Sequence, residues 1–598
     1  MRDFLKHTFA TLLGIFIFLG LSVGGLIFLV IATASKDTEP QVKDKSVLVF
    51  DLSQSITDSR PSSSAREIVS GALSGDEADT ITLRTVLDAI DYATQDPKII
   101  ALYLHGSSGN SASGFATLKE VRKALTRFKA TGKKIYAYDV DWREREYYLA
   151  SVANTIAVNP IGQLEINGLS SESMFYAGAL QKFGVGVQVT RVGKYKSAVE
   201  PFLMTKRSPA NREQTAKLLG DLWSEFLTTT SKDRKMTVQQ VQKIADSRGT
   251  LTPEEAQKQG LADKVAYADE ISAELKTLTG EDEENKSFRQ VTLKTYAKIA
   301  EDRPKKGNAK RQVAVVYADG EIVNGQGATG QVGGDRLARQ LRDLRLDNDI
   351  KAVVLRVNSP GGSATASEII QRELLLTRKV KPVVVSMGNV AASGGYWIST
   401  YADRIFAEPN TITGSIGVFG LQPNIQKLAN QNGLTWDVVK TGRFADSQTI
   451  SRPKTPEELE QVQRSVNKIY EQFLTKVSDS RKLQRSKVAE IAQGRVWSGS
   501  EAKSLGLVDE LGGLEDAVKE AANRAKLGDD WQLEEYPKTS TLEEQLLGRF
   551  FKSDETKATP NDPFTSEVKE IQADLASLRA MNDPRGVYVR LPFNLRVD

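Results

Sequence analysis

The chain of 598 residues has no cysteine and only two histidines, His7 and His105. The first absence excludes thiol nucleophiles, disulfides and thiolate metal sites, and it suits an oxidising compartment. The second leaves a histidine-based zinc site without ligands. A Ser-His-Asp triad would rest on His105 alone, because His7 precedes the apolar N-terminus. An excess of one charge is missing too: 80 Lys+Arg stand against 76 Asp+Glu, so no nucleic-acid surface is implied. A hydrolase built from this chain needs a base other than histidine, and lysine is the natural replacement.

Charge is also missing from Thr8 to Ser35, whose core LLGIFIFLGLSVGGLIFLVIA is long enough to cross about 30 Å of hydrocarbon as a helix. Arg2 and Lys6 precede it and favour a cytoplasmic N-terminus, with the rest of the chain outside. Ala32-Thr33-Ala34 offers a small-x-small cleavage pattern. The run exceeds the roughly 7–15 apolar residues of a cleaved signal, so the reading is a retained membrane anchor.

What the chain has in abundance is internal repetition. Ile135–Pro160 (IYAYDVDWREREYYLASVANTIAVNP) matches Val383–Pro409 (VVVSMGNVAASGGYWISTYADRIFAEP) at a shift of 249, with Tyr147 on Tyr396, Ala153 on Ala402 and Pro160 on Pro409. At that shift Ser393 falls on Glu144 and Lys196 falls on Ala445. Each half keeps one member of a possible serine–lysine pair and lacks the other, as expected of one active site shared between two homologous units.

Apolar strands alternate with helices in both halves. Ser46–Leu52 answers Val313–Gly320, Ile99–Leu104 answers Ile350–Val357, and KIYAYD answers PVVVSM. Helices are expected at Leu83–Thr94, Phe115–Ala130, Asp335–Leu346 and Thr365–Thr377. This pattern predicts an α/β fold of two tandem units with mostly parallel sheets covered by helices. The expected organisation is an anchor and linker (1–45), a first repeat (46–300), a charged join near Gly280–Lys310, a second repeat (310–535) and a C-terminal extension (536–598). The extension carries a linker-like TKATPNDP and a short amphipathic helix near Val568–Met581, and suggests no chemistry.

Three motifs carry chemistry. Ala391-Ala-Ser-Gly-Gly-Tyr396 follows a strand and opens a helix, putting Ser393 where free N–H groups favour an oxyanion. The first half has Arg143-Glu-Arg-Glu146 at this turn, so the fold does not demand the small residues. Asn358-Ser-Pro-Gly-Gly-Ser363 permits consecutive N–H groups to face an anion, and Gly361 N–H with Gly394 N–H can form an oxyanion hole. The equivalent loop His105–Asn110 lacks Pro-Gly-Gly, which makes His105 a loop residue rather than a base. In Gly193-Lys-Tyr-Lys-Ser-Ala-Val-Glu-Pro-Phe202, Lys196 can serve as a base only if burial lowers its pKa by several units. The rival Lys194 is matched by Arg443, as for a charge kept for structure or solubility.

Together NSPGGS, AASGGYW, TGSIGVFG and GKYKSAVEPF resemble the long form of signal peptide peptidase A (protease IV), a family of membrane-anchored serine–lysine peptidases related in fold to the Clp protease subunit and the crotonases. The resemblance implies Ser393 as nucleophile, Lys196 as general base and Gly361 and Gly394 at the oxyanion hole. It also implies Ser415 as a serine that orients the lysine. It further implies peptide substrates such as cleaved signal peptides, a homotetramer, an inner-membrane or phototroph internal-membrane location, and no cofactor or metal. The alternatives are a crotonase-type acyl-thioester enzyme using the same glycine pair, and a catalytically silent membrane scaffold. Both leave the split Ser/Lys pair unexplained.

Overall fold

A computed structural model describes residues 42–59, 80–106, 113–284, 286–301, 307–537 and 587–591, besides the isolated His7 and Gly14. The expected anchor at Thr8–Ser35, apart from Gly14, and the amphipathic stretch at Val568–Met581 lie outside these residues. Among the described residues no helix is long and apolar enough to cross a membrane.

Each half builds its own sheet from the strands its apolar runs announce. In the first, Ser46–Asp51 lies between Gln290–Thr292 and Ile99–His105, followed by Lys134–Trp142 and Thr155–Glu165, all parallel. Thr250–Leu251 closes one edge antiparallel. In the second, Gln532–Tyr536, Gln312–Asp319, Ile350–Ser359 and Val383–Ala392 run parallel. Ile412–Gly414 extends that sheet, and Val496–Ser498 closes it antiparallel. Runs such as Val313–Val316 and Val383–Val385 are buried throughout, because helices cover both faces of a parallel sheet.

The expected helices appear at Leu83–Gln95, Phe115–Ala130, Gly334–Leu346 and Ala364–Arg378. Two 26-residue helices, Pro209–Arg234 and Pro456–Arg481, extend the repeat. Each starts on a hydroxyl cap (Ser208, Thr455) with proline in its first turn and ends on a left-handed lysine (Lys235, Lys482).

A third sheet joins the halves. Its order is Gln331–Gly333, Glu321–Val323, Gly361–Ser363, Val587–Arg590, Val418–Asn424 and Gly186–Val192. The last strand comes from the first half and pairs antiparallel with Val418–Asn424 over seven residues, Val192 opposite Val418 and Gly186 opposite Asn424. Gly193–Ser197 follows directly, so this cross-half ladder carries the lysine loop to the serine.

Buried charge fixes the same interface from the other side. Arg356, fully buried, donates to Asp58 at 2.8 Å and to Glu120 at 2.7 Å, both from the first half. Glu120 also accepts from Leu514 N–H, and Asn389 reaches across to Thr117.

Candidate active site

Ser393 ends the strand Val383–Ala392 and caps the helix Gly394–Ser399. Its backbone takes φ +55° and ψ −110°, a strained conformation for a residue with a side chain, found at functional turns. Two backbone bonds hold it: its N–H donates to Gly414 C=O at 2.8 Å, and its C=O accepts from Trp397 N–H. The sharp turn leaves the Oγ facing Lys196.

Lys196 comes from the other half, 197 residues earlier, and its Nζ stands 2.8 Å from Ser393 Oγ. The same Nζ donates to Ser415 C=O and Ser415 Oγ, both at 3.1 Å. All three residues are fully buried. Burial holds the lysine well below its ordinary pKa of 10.5, with no carboxylate among the described residues close enough to oppose it. A neutral amine hydrogen-bonded to a hydroxyl is the starting state for proton abstraction. The rival Lys194 instead lies over the Tyr195 ring, 5.0 Å from its centroid, and turns away from the serine.

The lysine runs through a channel that two glycines keep open. A Cβ on Gly494 would come within 2.7 Å of Lys196 Cβ, and one on Gly417 would lie 3.2 Å from Lys196 Cδ and 2.8 Å from Gly494 Cα. The segment Gln493–Arg495 seats the loop further: Gln493 C=O accepts from Tyr195 N–H at 2.8 Å, and Arg495 C=O accepts from Ser415 N–H at 2.7 Å. Ser415 is itself left-handed, with φ +52°. Reading the motifs did not single out Gly417 or Gly494. A signal for Gly494 existed: aligning Trp497 with Leu251 puts Gly494 on Arg248, a glycine where the other repeat has a long side chain.

The two expected oxyanion glycines are brought together. A Cβ on Gly361, at φ +96°, would stand 2.6 Å from Gly394 N, so the position admits only glycine. Gly394 opens its helix, where N–H groups lack intrahelical acceptors. Gly361 N–H here donates to Ser359 Oγ at 3.2 Å, a long bond that an incoming oxyanion can replace.

The corresponding place in the first half is differently built. Glu144 Oε1 accepts from Asn167 N–H, and burial raises its pKa. His105, expected in a loop, is the last residue of the strand Ile99–His105, paired with Asp51, and stacks on Tyr103 with ring centroids 5.3 Å apart. Among the described residues no cluster of histidine or carboxylate side chains is placed to hold a metal ion.

Comparison with known proteins places the chain in a family. The model of peptidase family S49 matches twice, over residues 127–281 and 376–528. The chain is 36% identical to Protease 4 of Salmonella typhi over 592 residues, covering 96% of this chain and 94% of that one. It is 33% identical to the chloroplastic serine protease SPPA of Arabidopsis thaliana, covering 73% and 64%. Among solved structures, a ClpP1 point mutant from Listeria monocytogenes matches at 17% identity with a TM-score of 0.23, covering 35% of this chain and 95% of that one, a likeness too slight to bear on the site. Two S49 matches, one on each repeat, and a relative matched nearly end to end show that the chain belongs to peptidase family S49.

Proposed function

We propose that the protein is a serine endopeptidase in which Ser393 is the nucleophile and Lys196 the general base. The observation that carries this reading is the 2.8 Å approach of a fully buried lysine amine to a serine hydroxyl, with burial as the one influence on its pKa. Lys196 accepts the Oγ proton as Ser393 attacks the peptide carbonyl. The amide N–H groups of Gly361 and Gly394 stabilise the oxyanion, and the protonated lysine then gives its proton to the leaving amine. Water, deprotonated by Lys196, hydrolyses the acyl-enzyme. Ser415 holds the lysine with its Oγ and C=O and so acts through it.

The names of the relatives, Protease 4 and SPPA, support a peptidase, and we assign cleaved signal peptides and membrane-proximal fragments as its substrates. The uncharged Thr8–Ser35 run supports a single N-terminal anchor with the catalytic units outside the cytoplasm.

A homotetramer is also proposed, and the repeat supports a head-to-tail association. Shifted by 249, the strand Gly186–Val192 becomes residues 435–441, which have no ladder partner among the described residues, with Val439 96% exposed and Trp436 47% exposed. The edge it would meet, 169–175, is the repeat of Val418–Asn424 and lies outside any strand. One donor and one acceptor per chain make a heterologous contact, the kind that gives a ring of four when each step turns the chain by a quarter turn.

Labelling with a fluorophosphonate tests the reading. Wild type should be modified at Ser393 and should cleave a fluorogenic peptide. Ser393→Ala should lose both, with hydrolysis falling by about a million-fold. Retention of more than about a hundredth of wild-type hydrolysis by Ser393→Ala would overturn the nucleophile assignment.

A further inference from the structure

One buried amide is bonded to both halves beside the proposed dyad. Gln214 lies in the second turn of the helix Pro209–Arg234. Its Nε2 donates to Tyr195 C=O and to Ser197 Oγ, both at 3.0 Å, so it grips the lysine loop on either side of Lys196. Its Oε1 accepts from Val496 N–H of the other half at 3.3 Å. Both donor hydrogens and the acceptor are thus engaged. Val496 stands opposite Gly414 in the antiparallel pair that closes the second sheet, and Gly414 C=O accepts from Ser393 N–H. A short path of contacts therefore runs from the lysine loop through Gln214 to the residue that holds the serine turn.

The helix is fastened on both sides of this junction. Toward the lysine loop, buried Glu200 accepts from Ser208 N–H at 3.1 Å, Ser208 Oγ at 2.6 Å and Asn211 Nδ2 at 2.9 Å. Toward the second half, Asp221 accepts from Ser498 Oγ at 2.9 Å, Lys217 pairs with Glu501 at 3.0 Å, and Leu218 shares an apolar cluster with Val496. The loop's own turn does not need the amide. Ser197 N–H donates to Tyr195 C=O at 2.9 Å, and Lys196 N–H donates to Gly193 C=O at 3.2 Å. What Gln214 adds is a fixed register between that turn and the strand of the other half.

We propose that Gln214 is a positioning residue of the dyad, which by spanning the lysine loop and Val496 fixes the approach of Lys196 Nζ to Ser393 Oγ. This rests on the peptidase reading. An amine and a hydroxyl exchange a proton only within hydrogen-bond reach, and a displacement of about 1 Å costs about a hundredfold in rate. The two groups come from separate halves, so an untied loop would follow every small slide of one unit against the other. Gln214 hydrogen-bonds to neither dyad side chain, and acts through the loop that carries the lysine.

The test uses full-length protein, with kcat and KM for a fluorogenic peptide across pH and the rate of fluorophosphonate labelling at Ser393. Gln214→Met keeps the length and loses all three bonds. Gln214→Asn keeps the amide but is one methylene short, so it reaches the loop or the strand and not both. In Gln214→Met kcat should fall by about 10–100-fold, and in Gln214→Asn by about threefold or more, with labelling slowed in parallel. KM should stay within about twofold of wild type. The acid limb of kcat/KM should move to higher pH, since an amine displaced from its dry socket regains part of its ordinary basicity. Gln461 holds the same helix position in the second repeat, Pro456 answering Pro209, and Gln461→Met should leave kcat and the limb in place. A loss that tracks only the folded fraction in thermal unfolding, with the limb unmoved, would overturn the proposal and make Gln214 a packing residue. Wild-type kcat in Gln214→Asn would overturn it as well, and that variant decides alone if Gln214→Met does not fold. A wild-type protein that neither hydrolyses peptide nor labels at Ser393 would instead sink the peptidase reading.

Discussion

At the residue scale the decisive group is the Lys196 amine, because the burial that suits it to the proposed role of base also costs stability. Burial lowers its pKa in the folded chain, while the unfolded chain keeps it near 10.5. Between those two values the unfolded state binds more protons, so this residue's contribution to stability rises with pH and is complete above 10.5. Lys196→Met, of similar length and without the buried amine, should be inactive yet more stable than wild type at pH 7, by about 1–3 kcal/mol. The gap should narrow as pH climbs, and denaturant unfolding at several pH values would check it. Activity carries the same sign: kcat/KM should fall as pH drops through the lowered lysine pKa, giving an acid limb that inflects well below 10.5. Lys194→Ala, whose ammonium points to a ring face rather than the serine, should retain most activity in the same assay. Ser393 and Lys196 were legible in the sequence because duplication supplied a control for each. The strained backbone of Ser393 and Ser415 was not, since nothing in a serine announces a positive φ.

At the element scale, the closing strand Val496–Ser498 and the loop before it matter more than their modest sequence suggests. Gly417 is not left-handed, so Gly417→Ala acts through volume alone, pressing on Gly494 and on Lys196 Cδ. Peptide hydrolysis by Gly417→Ala should fall by about 10–100-fold, in line with an Ångström-scale displacement of a catalytic group. The acid limb should shift with it, whereas a loss confined to stability would leave that limb in place. The unpaired 435–441 segment makes a separate prediction. Val439→Asp replaces a side chain 96% exposed, so the folded chain should tolerate it while the proposed oligomer should dissociate, as read by sedimentation. Most of the central strands and their covering helices could be read to within a residue or two because apolar runs and periodicity encode them, but KIYAYD and PVVVSM run on to Trp142 and Ala392, past the end of their apolar runs. The third sheet could not. Its short strands belong to separate parts of the chain, and their pairing is set by how the halves meet.

At the scale of the whole molecule, the two halves are locked by a charge cluster that no local pattern revealed. Arg356 pairs with both Asp58 and Glu120 inside the interface, and its own guanidinium is held charged by them. Asp58 Oδ2 has no hydrogen-bond partner among the described residues, so the cluster has little to spare. Arg356→Leu should destabilise the protein by about 3–5 kcal/mol, because two carboxylates would remain buried without a cation. Adding Asp58→Asn and Glu120→Gln should recover part of that loss, measured by thermal unfolding. Arg356 lies on the strand leading to the Gly361 loop, so the single variant should lose hydrolysis along with stability.

The division of the pair between the halves also sets an order in time. Lys196 leaves the ribosome 197 residues before Ser393, an interval of roughly 10–40 s at ordinary elongation rates. During that interval the nascent chain holds a lysine with nothing to deprotonate. Even the serine alone is harmless until Gly494 and Arg495 arrive to seat the lysine loop. A peptidase assembled this way is born silent, and acquires its chemistry only when nearly all of its chain has been made and folded.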